Sequence, residues 1–243
     1  RFSADFGDRL LSEITTAQLD DWLRGLGLSA QSRINFRRVI SVFFEFARKS
    51  GRLERNPAID TTQPKRVNGP VQIFSPEEAR ALLEAAAAHC PDAVPYFAIG
   101  LFAGLRAAEI ERLDWGNVRS VRRHIEVTAQ SAKTASRRLV KIEPNLAAWL
   151  EPHVRESGPV TPPNLRMKRE VARKVAKIDP WPENGMRHSF GSYHLAQFQD
   201  AARTALEMGH ANTNMIFQHY REVVTPEAAA AYWAIEPNGP EIE

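Results

Sequence analysis

Cysteine is almost absent from this sequence: among 243 residues only Cys90 carries a thiol. A single thiol can form neither an internal disulfide nor a zinc site built from several cysteines, so we expect a reducing, cytoplasmic setting. No apolar run approaches the ~20 residues of a membrane-spanning helix. The chain starts with neither a methionine nor the apolar core of a signal peptide, and we interpret it as a fragment that is not secreted.

Charge of one sign is unevenly distributed along the chain. The net charge is only +3, but residues 1–68 hold 12 Lys and Arg against 8 Asp and Glu, and residues 106–203 hold 18 against 11. Residues 204–243 are acidic, with 1 against 6. A basic body with an acidic tail indicates a polyanionic partner, and nucleic acid is the default choice. A solvated charged surface is the alternative interpretation.

Helical signals dominate the first sixty residues. Thr15 and Gln18 have the spacing of a capping box at the start of a helix. Ser29 can cap a second helix, whose apolar side includes Val39 and Phe43 and whose opposite side is cationic. Residues 61–72 lack periodicity and contain two prolines and one glycine, which is typical of a linker.

One region alternates as strands do. Residues 124–128 and 138–142 alternate apolar and polar side chains with small polar residues between them, which predicts a β-hairpin or a short meander. Helical patterns resume after residue 144 and continue to the C-terminal end. We therefore expect a mainly α protein with a small antiparallel β-sheet.

Four separated segments contain the residues that could carry chemistry: 104–110, 132–134, 184–190 and 208–222. There is no glycine-rich phosphate loop, zinc-protease motif or nucleophile elbow. In chain order the segments supply Arg106, Lys133, Arg187 with His188, His210 and Tyr220. This ordered set resembles the catalytic signature of the tyrosine recombinases, or phage-type integrases. Each piece is a weak signal alone, whereas five pieces in order are specific.

The resemblance extends over nearly the whole chain and implies its organisation. Residues 1–60 resemble the later helices of a core-binding domain, a helical DNA-binding domain whose first helix is missing here. Residues 61–72 would be the linker. Residues 73–243 resemble the α+β catalytic domain of an integrase with its C-terminal helix.

The resemblance also implies a transesterification on DNA that needs neither metal nor cofactor. Arg106 and Arg187 correspond to the two active-site arginines, whose permanent charge and paired N–H groups suit phosphate oxygens. Tyr220 corresponds to the nucleophile, which takes the 3′ phosphate and releases a 5′ hydroxyl. Lys133 corresponds to the general acid that protonates the leaving oxygen, and His210 to a hydrogen-bond donor to the phosphate.

Three further residues are expected to support the site. Glu109 matches an acidic residue that would orient the basic cluster. His188, which directly follows Arg187, would support the site through packing. Asn184 departs from the family pattern, which often has histidine there; an amide can bind phosphate but cannot accept a proton. We hypothesise that Asn184 binds phosphate and that the proton of Tyr220 leaves through water or His188.

Two basic helical faces are candidates for contacts to the two sides of a duplex. They comprise Arg33, Arg37 and Arg38 in the first domain and Lys168, Arg169 and Arg173 in the second. Such contacts go mostly to phosphates and weaken with salt, and a solvated face is the alternative for each. The Ala-rich C-terminal helix is expected to dock on a neighbouring protomer, with packing on its own domain as the alternative.

These observations predict a site-specific DNA recombinase or integrase that works through a 3′-phosphotyrosine intermediate. Its partner would be double-stranded DNA in the cytoplasm, at the nucleoid, where free monomers assemble into a homotetramer without contact to a membrane. One alternative is a type IB topoisomerase-like enzyme, which nicks and seals DNA as a monomer. Another is a DNA-binding accessory protein with weakened catalysis.

Overall fold

The computed structural model describes residues 1–65, 71–128, 137–210, 212–220 and 224–237. The helices are α1 (Phe2–Phe6), α2 (Thr16–Gly25), α3 (Ala30–Lys49), α4 (Pro76–His89), α5 (Val94–Phe102), α6 (Ala107–Ile110), α7 (Pro144–Leu150), α8 (Leu165–Val175), α9 (Gly185–Phe198), α10 (Ala201–Met208), α11 (Asn214–Tyr220) and α12 (Pro226–Trp233). The strands are β1 (Val118–Arg119), β2 (His124–Val127) and β3 (Arg138–Lys141). The predicted class, mainly α with a small antiparallel sheet, is confirmed.

The chain divides into two compact units, Arg1–Gly69 and Pro70–Glu243. In neither unit is a described helix both long and apolar enough to cross a membrane.

The first unit is built from α1, α2 and α3. The predicted capping box is present, because the Thr15 side chain accepts from the Gln18 backbone N–H and the Gln18 side chain accepts from the Thr15 N–H. The core of the unit includes Leu19, Leu23, Ile40 and Phe44. The predicted apolar side of α3 is only partly buried, since Val39 and Phe43 remain 67% and 43% exposed.

The first unit extends beyond residue 60 into the predicted linker. Arg37 donates from Nε to the Thr61 hydroxyl over 2.7 Å, and the Thr62 N–H donates to Asp20 Oδ1 over 2.8 Å. These polar contacts hold the chain against α2 and α3 where the sequence has no periodicity. The remainder of the linker includes residues 66–70, which lie outside the described part of the chain.

The second unit is organised around α5, which has no charged residue and is buried along its whole length. A helix that is apolar on all sides belongs inside a core, and α5 packs against α4, α7 and α9. Gly100 permits the close approach of α9, because a Cβ atom there would lie 2.8 Å from the Met186 sulfur. This packing brings the start of α9 next to the loop that links α5 and α6.

A three-stranded antiparallel sheet in the order β1-β2-β3 lies beside these helices. The predicted pair is present, with Ile125 opposite Val140 and Val127 opposite Arg138. Strand β1 adds to it through Val118, opposite Ile125. Residues 129–136, between β2 and β3, lie outside the described part of the chain, and Lys133 is among them.

The C-terminal helix α12 packs on its own unit, against α4 and α9, which is the alternative that the sequence left open. Tyr232 is fully buried, stacks on Tyr193 at 3.9 Å between ring centroids and donates to the Leu101 carbonyl over 2.7 Å. Trp233 donates to the carbonyl of Tyr193. The aromatic residues of α12 therefore complete the core in which α9 is anchored.

Candidate active site

Arg187 lies in the first turn of α9 and connects three segments. Its side chain donates over 2.6 Å to the Gly104 carbonyl and over 2.6 Å to the Met208 carbonyl. The same guanidinium lies 2.9 Å from His210 Nε2. Gly104 has a φ of +60°, and a Cβ atom there would lie 2.3 Å from the Phe190 ring, so only glycine fits beside α9.

The guanidinium of Arg187 is a buried cation. Burial lowers its pKa to about 9, and the positive charge of Arg106 acts in the same direction. The group still carries its charge at neutral pH, because that pKa lies well above 7. Its hydrogen-bond partners are two carbonyl oxygens and a histidine ring, none of which is a carboxylate, while the negative charge of Glu109 acts on it from farther away.

A second cationic cluster forms around Glu109, whose side chain is 1% exposed. Arg106 immediately precedes α6 and contacts Glu109 Oε1 over 3.0 Å, while its backbone N–H donates to Oε2. Arg138 contacts the same carboxylate through both terminal nitrogens, over 3.2 and 2.7 Å. Burial alone would raise the pKa of Glu109, but the hydrogen bonds from Arg138 and the Arg106 backbone lower it to about 2.

Tyr220 ends α11 and is buried, with its hydroxyl 2.9 Å from His188 Nδ1. Its ring packs with Ile216 and Met208. Burial raises the pKa of the phenol, while the charges of Arg187 and Arg106 oppose that rise. The phenol is therefore protonated at neutral pH and lies within the electrostatic field of both arginines.

The turn after α10 places His210. Gly209 has a φ of +67°, and the His210 N–H returns to the carbonyl of Ala205 over 2.9 Å. This cap directs the imidazole towards Arg187. Asn184 precedes α9 in the left-handed region with a φ of 53°, which asparagine tolerates well, and its side chain is exposed.

Six of the predicted site residues therefore lie in one neighbourhood: Arg106, Glu109, Arg187, His188, His210 and Tyr220. Asn184 starts the helix that carries two of them, and Lys133 lies outside the described residues. Within the described part of the chain no group of three His, Cys, Asp or Glu side chains could hold a metal ion.

Arg138 is the site residue that our sequence reasoning missed. Its side chain is 5% exposed and points inward with Val140, whereas Leu139 and Lys141 point outward. The signal was available, because side chains two apart on a strand share a face and Val140 marks the inner one. An arginine at an inward strand position needs a buried partner, and here that partner is Glu109.

The predicted DNA-contact residues of the second unit all have partners within the unit. Lys168 forms an ion pair with Asp92. The Cζ atom of Arg169 lies 5.7 Å from the ring centroids of both Tyr96 and Trp181. Arg173 pairs with Glu170 and Asp179 at 3.0 and 2.9 Å.

In the first unit, Arg37 is used to hold the segment that follows α3, through Thr61 and the carbonyl of Ile59. Arg33 is half-buried and Arg38 is exposed. Of the six predicted contact residues, Arg38 is the most accessible.

Solved structures of similar fold include integrases bound to DNA. The lambda integrase dimer bound to a COC′ core site has 16% identity and a TM-score of 0.69, over 86% of this chain and 83% of that one. The lambda integrase tetramer bound to a Holliday junction has 17% identity and a TM-score of 0.69, over 95% and 68%. The Tn1549 transposon integrase, in complex with a circular intermediate DNA, has 17% identity and a TM-score of 0.69, over 91% and 85%.

The chain has the integrase fold. The similarity extends over most of its length, so it includes the helices and the sheet that position the cluster around Arg187. No protein-family model matches the sequence. No curated protein matches it either. At 16–17% identity the integrase likeness concerns the fold, and the function has to be argued from the site.

Proposed function

We propose that this protein is a tyrosine recombinase that cleaves and rejoins DNA strands through a 3′-phosphotyrosine intermediate. The observation that carries the proposal is the meeting of two arginines and a tyrosine from distant segments. Arg106, Arg187 and Tyr220 interact electrostatically although 81 and 33 residues of sequence separate neighbouring members. Burial of one arginine beside another costs free energy, which an arginine with no functional role would avoid by staying at the surface.

Arg187 and Arg106 would bind the scissile phosphate. A pentacoordinate phosphorane carries more negative charge than the diester, so preorganised cations in a site of low dielectric stabilise it preferentially. Among the described residues Arg187 forms no ion pair with a carboxylate and feels the charge of Glu109 only from farther away, and Arg106 shares Glu109 with Arg138. His210 would donate a further hydrogen bond to the same phosphate.

His188 would accept the proton of Tyr220 directly, in preference to the route through water. Its Nδ1 atom lies 2.9 Å from the Tyr220 oxygen, which is within the range of direct proton transfer. As the bond from the Tyr220 oxygen to phosphorus forms, the phosphorus–O5′ bond breaks and the phenolic proton passes to Nδ1. The O5′ atom then takes a proton from Lys133, the residue that the sequence pattern assigns to this step.

The partner would be double-stranded DNA, on which free monomers form a homotetramer. The lambda integrase, which has a similar fold, forms a tetramer bound to a Holliday junction, and this supports the proposed assembly. Exposed cations such as Arg38 and Arg166 would contact phosphates, so binding would weaken steeply with salt. No metal is required, because the arginines supply the positive charge.

The test is covalent capture of DNA by the purified chain. A library of nicked duplexes with randomised sequence around the nick is incubated with wild type, and protein-linked DNA is isolated under denaturing conditions. Mass spectrometry should find the nucleotide on the Tyr220 peptide, and Tyr220→Phe should capture none. Tyr96→Phe is the matched control, since Tyr96 is buried and its hydroxyl has no hydrogen-bond partner among the described residues.

Two outcomes would overturn the proposal. If wild type and Tyr220→Phe capture equally little DNA, the accessory-protein alternative replaces it. If wild type relaxes supercoiled plasmid as a monomer and recombines no pair of captured sites, the topoisomerase-like alternative replaces it.

A further inference from the structure

The contacts of Arg138 exceed what strand packing requires. It opens β3 at an inward position, where the alternating pattern calls for an apolar side chain. Its Nε atom donates to the Glu207 carbonyl over 2.9 Å, while both terminal nitrogens contact Glu109. Arg138 thus places a charged side chain where an apolar one is expected, and all of its nitrogens have hydrogen-bond partners. Such exceptions to the apolar–polar pattern are expected at functional positions.

Arg138 connects the segment that carries Arg106 with the turn that carries His210. Gly209 makes room for it, since a Cβ atom there would lie 3.0 Å from Arg138 Nη1 and 3.1 Å from its Cζ. The Glu207 carbonyl that it binds precedes Met208, whose carbonyl binds Arg187. The buried guanidinium of Arg138 therefore contacts both the segment that carries Arg106 and the segment that leads to His210.

The charges in this cluster lead to a specific role. Arg106 and Glu109 alone would form a neutral pair, and Glu109 would attract the guanidinium away from an incoming phosphate. Arg138 adds a second positive charge to the same carboxylate. The three side chains together carry a net charge of +1, and Arg106 is the more exposed of the two arginines, at 24% against 5%.

We propose that Arg138 is a positioning residue that neutralises Glu109 and thereby leaves the charge of Arg106 available to the scissile phosphate. The proposal rests on the proposed function and deepens it. Arg138 does not touch the DNA and acts through Glu109. A purely structural role, in which the buried pair only holds β3 in place, is the competing explanation.

Two substrates separate these explanations. The first is the duplex recovered by covalent capture with its normal phosphodiester, and the second is the same duplex with a methylphosphonate at the scissile position, which removes the negative charge. Arg138→Met should slow covalent-complex formation on the diester by about 100-fold, as does the loss of one electrostatic contact in other active sites. The penalty on the neutral methylphosphonate should fall below about 10-fold, because Arg106 then has less charge to stabilise.

Three further variants control for folding. Glu109→Gln/Arg138→Met removes both halves of the buried pair, which proteins tolerate far better than the loss of one half, and it should recover at least about 10-fold of the diester rate. Arg138→Lys keeps the charge and should lie between wild type and Arg138→Met. Arg203→Met breaks ion pairs to the side chains of Glu143 and Glu207, leaves the pair of Arg138 and Glu109 intact, and should affect both substrates equally.

The outcomes are distinct. Equal penalties for Arg138→Met on both substrates, or a double variant as slow as Arg138→Met while melting at the wild-type temperature, would overturn the positioning role and leave the proposed function intact. Absence of any Tyr220-linked DNA from wild type would overturn the proposed function and this role together.

Discussion

Gly191 controls the position of the proposed nucleophile. It lies inside α9, one turn after Arg187, where the ring of Tyr220 packs directly against the helix backbone. A Cβ atom built at Gly191 would lie 2.9 Å from Tyr220 Cζ, 3.0 Å from its Cε1 and 3.0 Å from the Met208 sulfur. These distances are shorter than normal carbon contacts, so Gly191→Ala must displace one of the two side chains.

The Tyr220 ring is the side chain whose movement matters for chemistry. Its Cζ atom bears the hydroxyl, so pressure there moves the nucleophilic oxygen away from His188. Overpacking of a dense core costs about 1–3 kcal/mol, while alanine in place of glycine in a helix contributes about 1 kcal/mol in the opposite sense. We expect a net loss of up to about 2 kcal/mol in the free energy of unfolding.

The effect on covalent-complex formation should be larger than the effect on folding. A displacement of about 1 Å at a reacting atom costs on the order of 100-fold in rate. Single-turnover capture of nicked DNA measures the rate, and urea denaturation measures the free energy of unfolding. Duplex binding should be unchanged, because the substitution adds no charge.

Gly25→Ala is the matched control. Gly25 ends α2, and a Cβ atom there would have no neighbour within 4 Å. This change should stabilise the protein by about 0.5–1 kcal/mol and leave capture unaffected. If Gly191→Ala also stabilises the protein and captures DNA at the wild-type rate, Gly191 does not position Tyr220 and the reasoning from this contact is wrong.

Three further predictions concern protonation and buried hydrogen bonds. The folded pKa of Glu109, about 2, lies below its ordinary 4.5, so this carboxylate should contribute about 3 kcal/mol of unfolding free energy that is lost as pH falls from 4.5 to 2. In Glu109→Gln the decline measured by denaturation across that range should be smaller by about that amount, since the other carboxylates still titrate. His188→Gln should slow single-turnover DNA capture by about 100-fold, because it removes the group that accepts the Tyr220 proton; capture at the wild-type rate would show that another group accepts this proton. Tyr232→Phe removes a buried 2.7 Å hydrogen bond to the Leu101 carbonyl and should cost about 1–2 kcal/mol in urea denaturation. Tyr96→Phe should cost less, and equal losses would contradict the hydrogen-bond argument.

Local patterns in the sequence predicted most of the secondary structure. The capping box at Thr15 and the strand pair of β2 and β3 are confirmed where cap spacing and alternation indicated them. Such features depend on residues within a few positions of one another, so a single sequence contains the information.

Long-range partners account for what the sequence patterns left open. The basic composition of α8 predicts a surface for DNA, and this stays a prediction; what the composition did not reveal is that Lys168 and Arg169 contact Asp92 and Tyr96, more than seventy residues away. For helix α12 the sequence left open docking on another protomer and packing on its own domain, and Tyr232 is buried in the core of its own unit. A charge count or an aromatic residue does not reveal which distant side chain it will meet.

The same distinction between local sequence patterns and long-range contacts applies to the candidate site. The order and types of Arg106, Arg187, His210 and Tyr220 follow from the sequence, because a strong resemblance in motif order needs no coordinates. The contact between His188 and Tyr220 and the role of Arg138 come from folding, which brings helices and a strand together across 32 and 29 residues. Chemistry at a phosphate depends on distances of about 3 Å, and packing of the whole unit sets those distances.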